Sequence, residues 1–265
     1  MDILKVLLGT GFLTVTYEAL HYKKFLYCLN LNFSYVNHPI QILRRGAMEV
    51  LNADAFLMKL AEQREVIWVK MTAEKKSYGA EKPLTQEVVV RRLQFGVVME
   101  RKAAEVTARW IPHVPDLDIQ HSLSEYVANE LKHAGILRQR ITDLKGEPDA
   151  LWKKPLKELK ELWDYHASLD SFCELLASVQ YGHEEFFPRT SKSFIQRVEP
   201  IDPKTASIYR DTLLADEEGH EWLAPEALRR YALDAETQRR CLEALQKGCE
   251  LFAKAIESFN RSTVQ

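Results

Sequence analysis

Two Glu-x-x-His motifs, Glu130–His133 and Glu217–His220, place the strongest constraint on how this chain folds. Residues three apart lie on one face of a helix with Cβ atoms about 5–6 Å apart, so a carboxylate and an imidazole can bind the same metal ion. One such motif is weak evidence, because glutamate is common in the chain. A third copy, Glu18–His21, lies too near the N-terminus to follow a partner helix, and we interpret it as coincidental.

The first motif follows a glutamate at a distance that suits an antiparallel helical hairpin. Glu100 lies ~12 residues before the turn at Pro112, and Glu130 lies ~11 residues after the next helix begins near Ile119. The two carboxylates are therefore expected to face each other at nearly the same height. Glu105 is the alternative to Glu100, but it lies about 140° around the helix and closer to the turn.

The second motif is preceded by a glutamate in the same way. Glu174 lies ~14 residues before Pro188, and Glu217 lies ~14 residues after Pro203. The alternatives Glu184 and Glu185 fall at the end of the predicted helix, roughly 15 Å along its axis from the level of Glu217. We therefore expect Glu174 to be the ligand from this helix.

This order of residues resembles that of the ferritin-like di-iron carboxylate proteins, in which two helices each supply one glutamate and two others each supply Glu-x-x-His. The resemblance covers about residues 85–233. It implies an all-α fold, a ferritin-like four-helix bundle with additional N-terminal and C-terminal helices. It also implies a centre of two iron ions, either of which could be manganese. The implied ligands are Glu100, Glu130, His133, Glu174, Glu217 and His220.

Three further polar residues lie beside the implied ligands. Asn129 and Asp216 directly precede the motif glutamates, and we expect their side chains to orient the metal-bound imidazoles. Tyr126 lies four residues before Glu130 and is a candidate catalytic hydrogen-bond donor, with a purely structural role as the alternative. Leu137 stands where the small subunits of ribonucleotide reductases usually carry a radical tyrosine, which disfavours that branch of the superfamily.

The sequence suggests three regions. We expect an N-terminal apolar extension and helix in residues 1–82, the di-metal four-helix bundle in 83–233, and an amphipathic C-terminal helix in 234–265. The uncharged segment Val6–Tyr17 is shorter than the roughly 20 residues needed to cross a bilayer, so we expect no membrane span. We expect this segment to pack on the bundle or on a second subunit, as in a homodimer.

Apolar periodicity predicts the individual helices. Helices are expected over about Leu51–Thr72 and Thr85–Ile111, followed by the helix that carries the first motif. One long helix is expected over about Lys154–Phe187, and an irregular connection over Arg189–Pro203. The C-terminal helix is expected over Ala235–Phe259.

Composition restricts the function further. The chain has 265 residues, enough for a large helical core, and its net charge of −2 gives no general attraction to nucleic acid. Its four cysteines include no Cys-x-x-Cys pair, which argues against zinc ribbons and rubredoxin-like iron sites. Free thiols favour a reducing, cytoplasmic location.

The resemblance implies an oxidoreductase that activates dioxygen to hydroxylate or oxygenate a small or carrier-bound organic substrate. A separate reductase would supply the electrons. The helices outside the bundle could shape a substrate pocket, which a minimal storage subunit does not need. The first alternative is an iron-oxidising or iron-storage protein. The second is a helical interaction module that holds no metal.

Overall fold

A computed structural model of the chain describes residues 49–74, 84–217 and 222–263, all within the compact unit Ala47–Gln265. The segment Val6–Tyr17, the motif Glu18–His21 and the residue His220 lie outside the described residues. Within them every regular element is helical, which confirms the all-α fold class. None of the helices in this part of the chain is long and apolar enough to cross a membrane.

The first three helices lie close to their predicted positions. Helix α1 spans Ala53–Glu74, α2 spans Gln86–Ala108 and α3 spans Leu117–Asp143. The side chain of Thr85 accepts a hydrogen bond from the backbone N–H of Val88, which caps the first turn of α2. Helices α2 and α3 pack along each other as the expected hairpin.

The predicted helix Lys154–Phe187 is wrong, because the chain in this region forms several shorter elements. Helix α4 is a single turn, Ala150–Lys153, and α5 spans Lys157–Ser168. Helix α6, Phe172–Ser178, continues into a π-helical turn, Val179–His183. A 3₁₀ turn, Glu184–Phe186, then leads into α7, Phe187–Val198.

The break between α5 and α6 is stabilised by an arginine from α2. The guanidinium of Arg109 donates hydrogen bonds to the backbone oxygens of His166, Ala167 and Leu169, at 2.9, 2.5 and 2.8 Å. These contacts satisfy carbonyl groups that a helix end leaves without intrahelical partners. The apolar pattern continues on both sides of the break, so periodicity alone could not reveal it.

The predicted irregular connection Arg189–Pro203 is also wrong, since α7 occupies most of it. Phe194, Ile195 and Val198 are buried along one face of α7. Pro188 lies in the first turn of this helix, where a missing backbone N–H costs little, so it begins a helix instead of ending one.

The remaining elements complete the fold. Helix α8 spans Pro203–Ile208, and a second π-helical turn, Tyr209–Leu213, joins it to the short α9, Leu214–Glu217. Helix α10 spans Leu223–Tyr231 and α11 spans Ala235–Ser262. Helix α11 packs against α1, α5 and α6, so the C-terminal helix is a major part of the core.

A smaller apolar cluster joins the α2–α3 hairpin to the segment that carries the second motif. Val97 and Leu137 from the hairpin pack with Phe194 of α7 and with Tyr209 and Leu213 of the second π-helical turn. This packing brings the end of α9 to the side of α3 that carries the first motif.

Candidate metal centre

Three residues predicted as metal ligands converge in the α2–α3 hairpin. Glu100 of α2 meets Glu130 and His133 of α3, and one ligand atom from each lies within 4.8 Å of the others. Their exposed fractions are 8%, 3% and 0%, respectively. Among the described residues, these two carboxylates and one imidazole lie close enough together to hold a metal ion.

A glycine lets the helices approach closely beside this group. Gly96 lies one turn before Glu100, and a Cβ atom there would lie 2.8 Å from Leu137 Cδ1 and 3.5 Å from the hydroxyl oxygen of Tyr209. A larger residue would therefore require the Leu137 side chain to shift. The hairpin brings the carboxylates to the same level, as the count of residues from the turn predicts.

The two ring nitrogens of His133 face different acidic groups. Its Nε2 lies 3.0 Å from Asp216 Oδ2, and its Nδ1 lies 3.6 Å from Glu100 Oε2. If Nε2 carries the proton and donates a hydrogen bond to Asp216, the lone pair of Nδ1 faces the carboxylates. A carboxylate that holds a histidine in this tautomer is typical of metal-bound imidazoles.

Asp216 is itself held by a lysine of α3. Lys132 Nζ donates a hydrogen bond to Asp216 Oδ2 at 2.6 Å. This hydrogen bond, together with the contact to His133, holds the pKa of the Asp216 carboxyl below its usual value, although burial acts in the opposite direction. Asp216 therefore stays ionised and links the end of α9 to the first motif.

We expect the Lys132→Met variant to bind Fe(II) about tenfold more weakly under anaerobic conditions, because Asp216 would orient His133 less firmly. Lys132 is about half exposed, with 51% of its side chain accessible, so the fold should remain intact. The matched control is Lys160→Met, which removes an exposed lysine paired with Asp164 on α5. Equal losses of affinity in both variants would contradict a role for Lys132 in positioning.

Glu174 is not one of the three residues of this group, and its role as a ligand of the second ion stays a prediction. It lies on the first turn of α6, buried, and forms an ion pair with Arg240 of α11. Arg240 also pairs with Asp170, beside the break before α6. Burial raises the pKa of Glu174, and the charge of Arg240 opposes part of that rise.

Glu184, which counting residues along one helix disfavoured, contacts a side chain next to the candidate centre. The hydroxyl of the fully buried Tyr126 donates a hydrogen bond to the Glu184 carboxylate, and Tyr126 lies one turn before Glu130 on α3. Counting residues placed Glu184 along one straight helix, but the break before α6 and the first π-helical turn redirect the chain. Glu185 instead contacts Arg64 at 3.6 Å.

Glu105, the alternative to Glu100, is exposed and accepts a hydrogen bond from Lys102 at 2.6 Å. Asn129 is partly buried on α3.

Glu217 ends α9, but its side chain and the whole of His220 lie outside what the structure describes. The structure thus brings together the first half of the predicted ligand set and leaves the second motif without a described site.

Sequence reasoning missed Tyr209, a fully buried tyrosine beside the centre. Burial raises the pKa of its hydroxyl to about 12, with a smaller contribution from the negative charge of Glu100. Tyr209 begins the second π-helical turn, and the first such turn ends directly before Glu184. Single π-helical turns inside α-helices occur frequently at functional sites.

Comparisons with models of known protein families and with curated proteins find no match for this chain. The ferritin-like resemblance therefore depends on the motif spacing and on the geometry of the α2–α3 hairpin.

Proposed function

We propose that the chain is a di-iron oxidoreductase of the ferritin-like type that activates dioxygen to oxidise an organic substrate. The observation that carries this proposal is the buried convergence of Glu100, Glu130 and His133. Burial of two neighbouring carboxylates is very costly without a compensating cation. Two oxygen donors and one imidazole suit iron or manganese.

The second ion would need ligands in addition to these three residues. Glu184, in the 3₁₀ turn before α7, is one candidate ligand because it contacts Tyr126. Glu217 and His220 would complete the ligands of this ion. Asn129 precedes Glu130 as Asp216 precedes Glu217, so it is the counterpart that could orient His220. Glu174 is not part of this proposal.

The side chains around the proposed centre position its ligands and keep water away. When bound, a di-iron pair would supply the electron-transfer and Lewis-acid chemistry of dioxygen activation, with electrons from a separate reductase. In the metal-bound state, Nε2 of His133 would donate a hydrogen bond to Asp216, which would leave Nδ1 available as a ligand. Val97, Ala104 and Leu137 are buried beside the acids and exclude bulk water.

One alternative has its own structural support. His133 lies between Glu100 and Asp216, so a doubly protonated imidazolium could form a buried ion-pair network without any metal. In that case the chain would be a helical module that binds partners and performs no redox chemistry.

Anaerobic reconstitution with Fe(II) followed by exposure to air tests the proposal. We expect about two iron ions per chain, as the ferritin-like ligand pattern requires. We also expect one round of dioxygen consumption by the Fe(II)-loaded chain and continued consumption only when a reductant is added, and both should be lost in Glu130→Gln. Failure to bind iron would support the ion-pair network. Accumulation of many iron ions per chain in a hollow assembly would support iron storage instead.

A further inference from the structure

A groove of about 530 Å³ lies on the side of the α2–α3 hairpin, between these helices and α4. Arg101, Arg138 and Lys153 line it, and we call it the basic groove. Its volume falls within the range of small-molecule sites. Arg101 directly follows Glu100, but successive helical residues point about 100° apart, and none of the three residues of the candidate metal centre lines the groove.

The carboxylate of Asp149 contacts both arginines of the basic groove. Arg138 donates a hydrogen bond to Asp149, and Arg101 Nη1 lies 3.6 Å from Asp149 Oδ1. The hydrogen bond from Arg138, with the charges of Arg101 and Lys153, holds the pKa of Asp149 below its usual value against the effect of burial. The carboxylate is therefore ionised and keeps the guanidinium groups close together.

The guanidinium groups retain capacity for a second anion. Each guanidinium has five N–H donors, so the two groups together have more donors than the Asp149 carboxylate can accept. The side chains of Arg101 and Arg138 are 29% and 38% exposed. Lys153 adds a third cation, which Glu147 at the rim partly offsets at 3.1 Å. The groove is thus positively charged on a chain whose net charge is −2.

The rest of the groove is apolar and open. Trp152 forms one wall, and the guanidinium carbon of Arg101 lies 3.5 Å from the centre of its ring, a cation–π contact that holds the arginine in place. Ala134 and Gly135 of α3 form the floor. A Cβ atom at Gly135 would meet no atom within 4 Å, so the floor has room for a flat group.

We propose that the basic groove binds a phosphate monoester that carries a flat apolar group. A phosphate dianion matches two neighbouring guanidinium groups better than a carboxylate does, because it offers more acceptor oxygens and more charge. The apolar group would lie on the floor beside Trp152. This inference is independent of the metal centre.

Calorimetric titration of the full chain with 1-naphthyl phosphate tests the inference. We expect saturable binding, and binding of both 1-naphthol and inorganic phosphate that is weaker by about tenfold or more, because each lacks one half of the proposed ligand. Absence of saturable binding would overturn the proposal, and so would equal affinity for either of the two fragments.

Variants of the groove locate the binding site. Arg138→Ala should weaken binding by about tenfold or more. Gly135→Leu should abolish binding by filling the groove while thermal stability stays the same or rises, because leucine favours the helix more than glycine and its Cβ atom would meet no atom within 4 Å. The control Arg261→Ala removes an arginine of α11 that pairs with Glu257, and it should bind normally. Unchanged affinity in Gly135→Leu would overturn the assignment to this groove.

Discussion

Replacement of Glu130 by glutamine is expected to abolish iron binding and, at the same time, to stabilise the metal-free protein. Glutamine has nearly the same shape as glutamate but is a poor iron ligand, so the affinity for Fe(II) should fall by at least about 100-fold. In the absence of metal, the variant also removes one of two buried carboxylates whose oxygens lie within 4.8 Å of each other and of His133. We expect a gain on the order of 2 kcal/mol in the free energy of unfolding.

The measurements are iron content after anaerobic reconstitution and chemical denaturation of the metal-free chain. A fall in the stability of metal-free Glu130→Gln would contradict the prediction. It would indicate that His133 is an imidazolium held by Glu130 as well as by Glu100 and Asp216, as in the ion-pair alternative.

Two further variants distinguish Glu174 of α6 from Glu184 of the following 3₁₀ turn as ligands of the second ion. Glu184→Gln should lower the iron content from about two ions to about one per chain, because Glu184 is proposed to bind only the second ion. Glu174→Gln should leave the iron content unchanged, since the Glu174 carboxylate is paired with Arg240 of α11. The reverse result would restore Glu174 as the ligand and remove Glu184.

The sequence predicted the part of the site that depends on local geometry. Glu130 and His133 share one helix, and Glu100 is joined to them by a short turn, so spacing along two straight helices places all three. The capping residue Thr85 and the breaker Pro112 reveal where these helices begin and end. For this hairpin, counting residues was sufficient.

The same count failed where tertiary contacts determine the path of the chain. The break before α6 is stabilised by Arg109, which is distant in sequence. Pro188 was expected to end a helix, but it lies in the first turn of α7. The π-helical turns change the register by one residue without a clear sequence signal. Residue counting therefore did not predict the ion pair of Glu174 with Arg240 or the contact of Glu184 with Tyr126, and Tyr209 was missed.

Asp202→Asn is expected to destabilise the protein by about 3 kcal/mol at neutral pH, because it breaks a largely buried ion pair. Asp202 accepts a hydrogen bond from Arg140 Nη2 at 2.6 Å and caps α8 through the backbone N–H of Thr205 at 3.1 Å. Asparagine is also a good N-cap, so the variant isolates the loss of the ion pair. Arg140 lies two turns after His133, and α8 leads to Asp216, so the same variant should also weaken Fe(II) binding.

The matched control is Asp234→Asn, and denaturation of both variants gives the comparison. Asp234 caps α11 through the backbone N–H of Thr237 at 2.9 Å, but it is exposed and its described contacts include no arginine. We expect Asp234→Asn to change the stability by less than about 0.5 kcal/mol. Equally small effects in the two variants would show that the contact of Asp202 with Arg140 contributes little to stability.

The effect of Asp202→Asn should also depend on pH in a defined direction. Burial alone would raise the pKa of Asp202, but the hydrogen bonds from Arg140 and Thr205 outweigh it, so the pKa in the folded state lies below the usual value. A carboxyl whose pKa is lowered on folding stabilises the protein above its unfolded pKa of about 3.9, and this stability is lost as the pH falls through the folded pKa. The difference in stability between the unmodified chain and Asp202→Asn should therefore be constant above about pH 5 and shrink below about pH 4. A difference that stays constant down to the lowest pH at which the protein folds would show that the Asp202 carboxylate is not the source of the stabilisation.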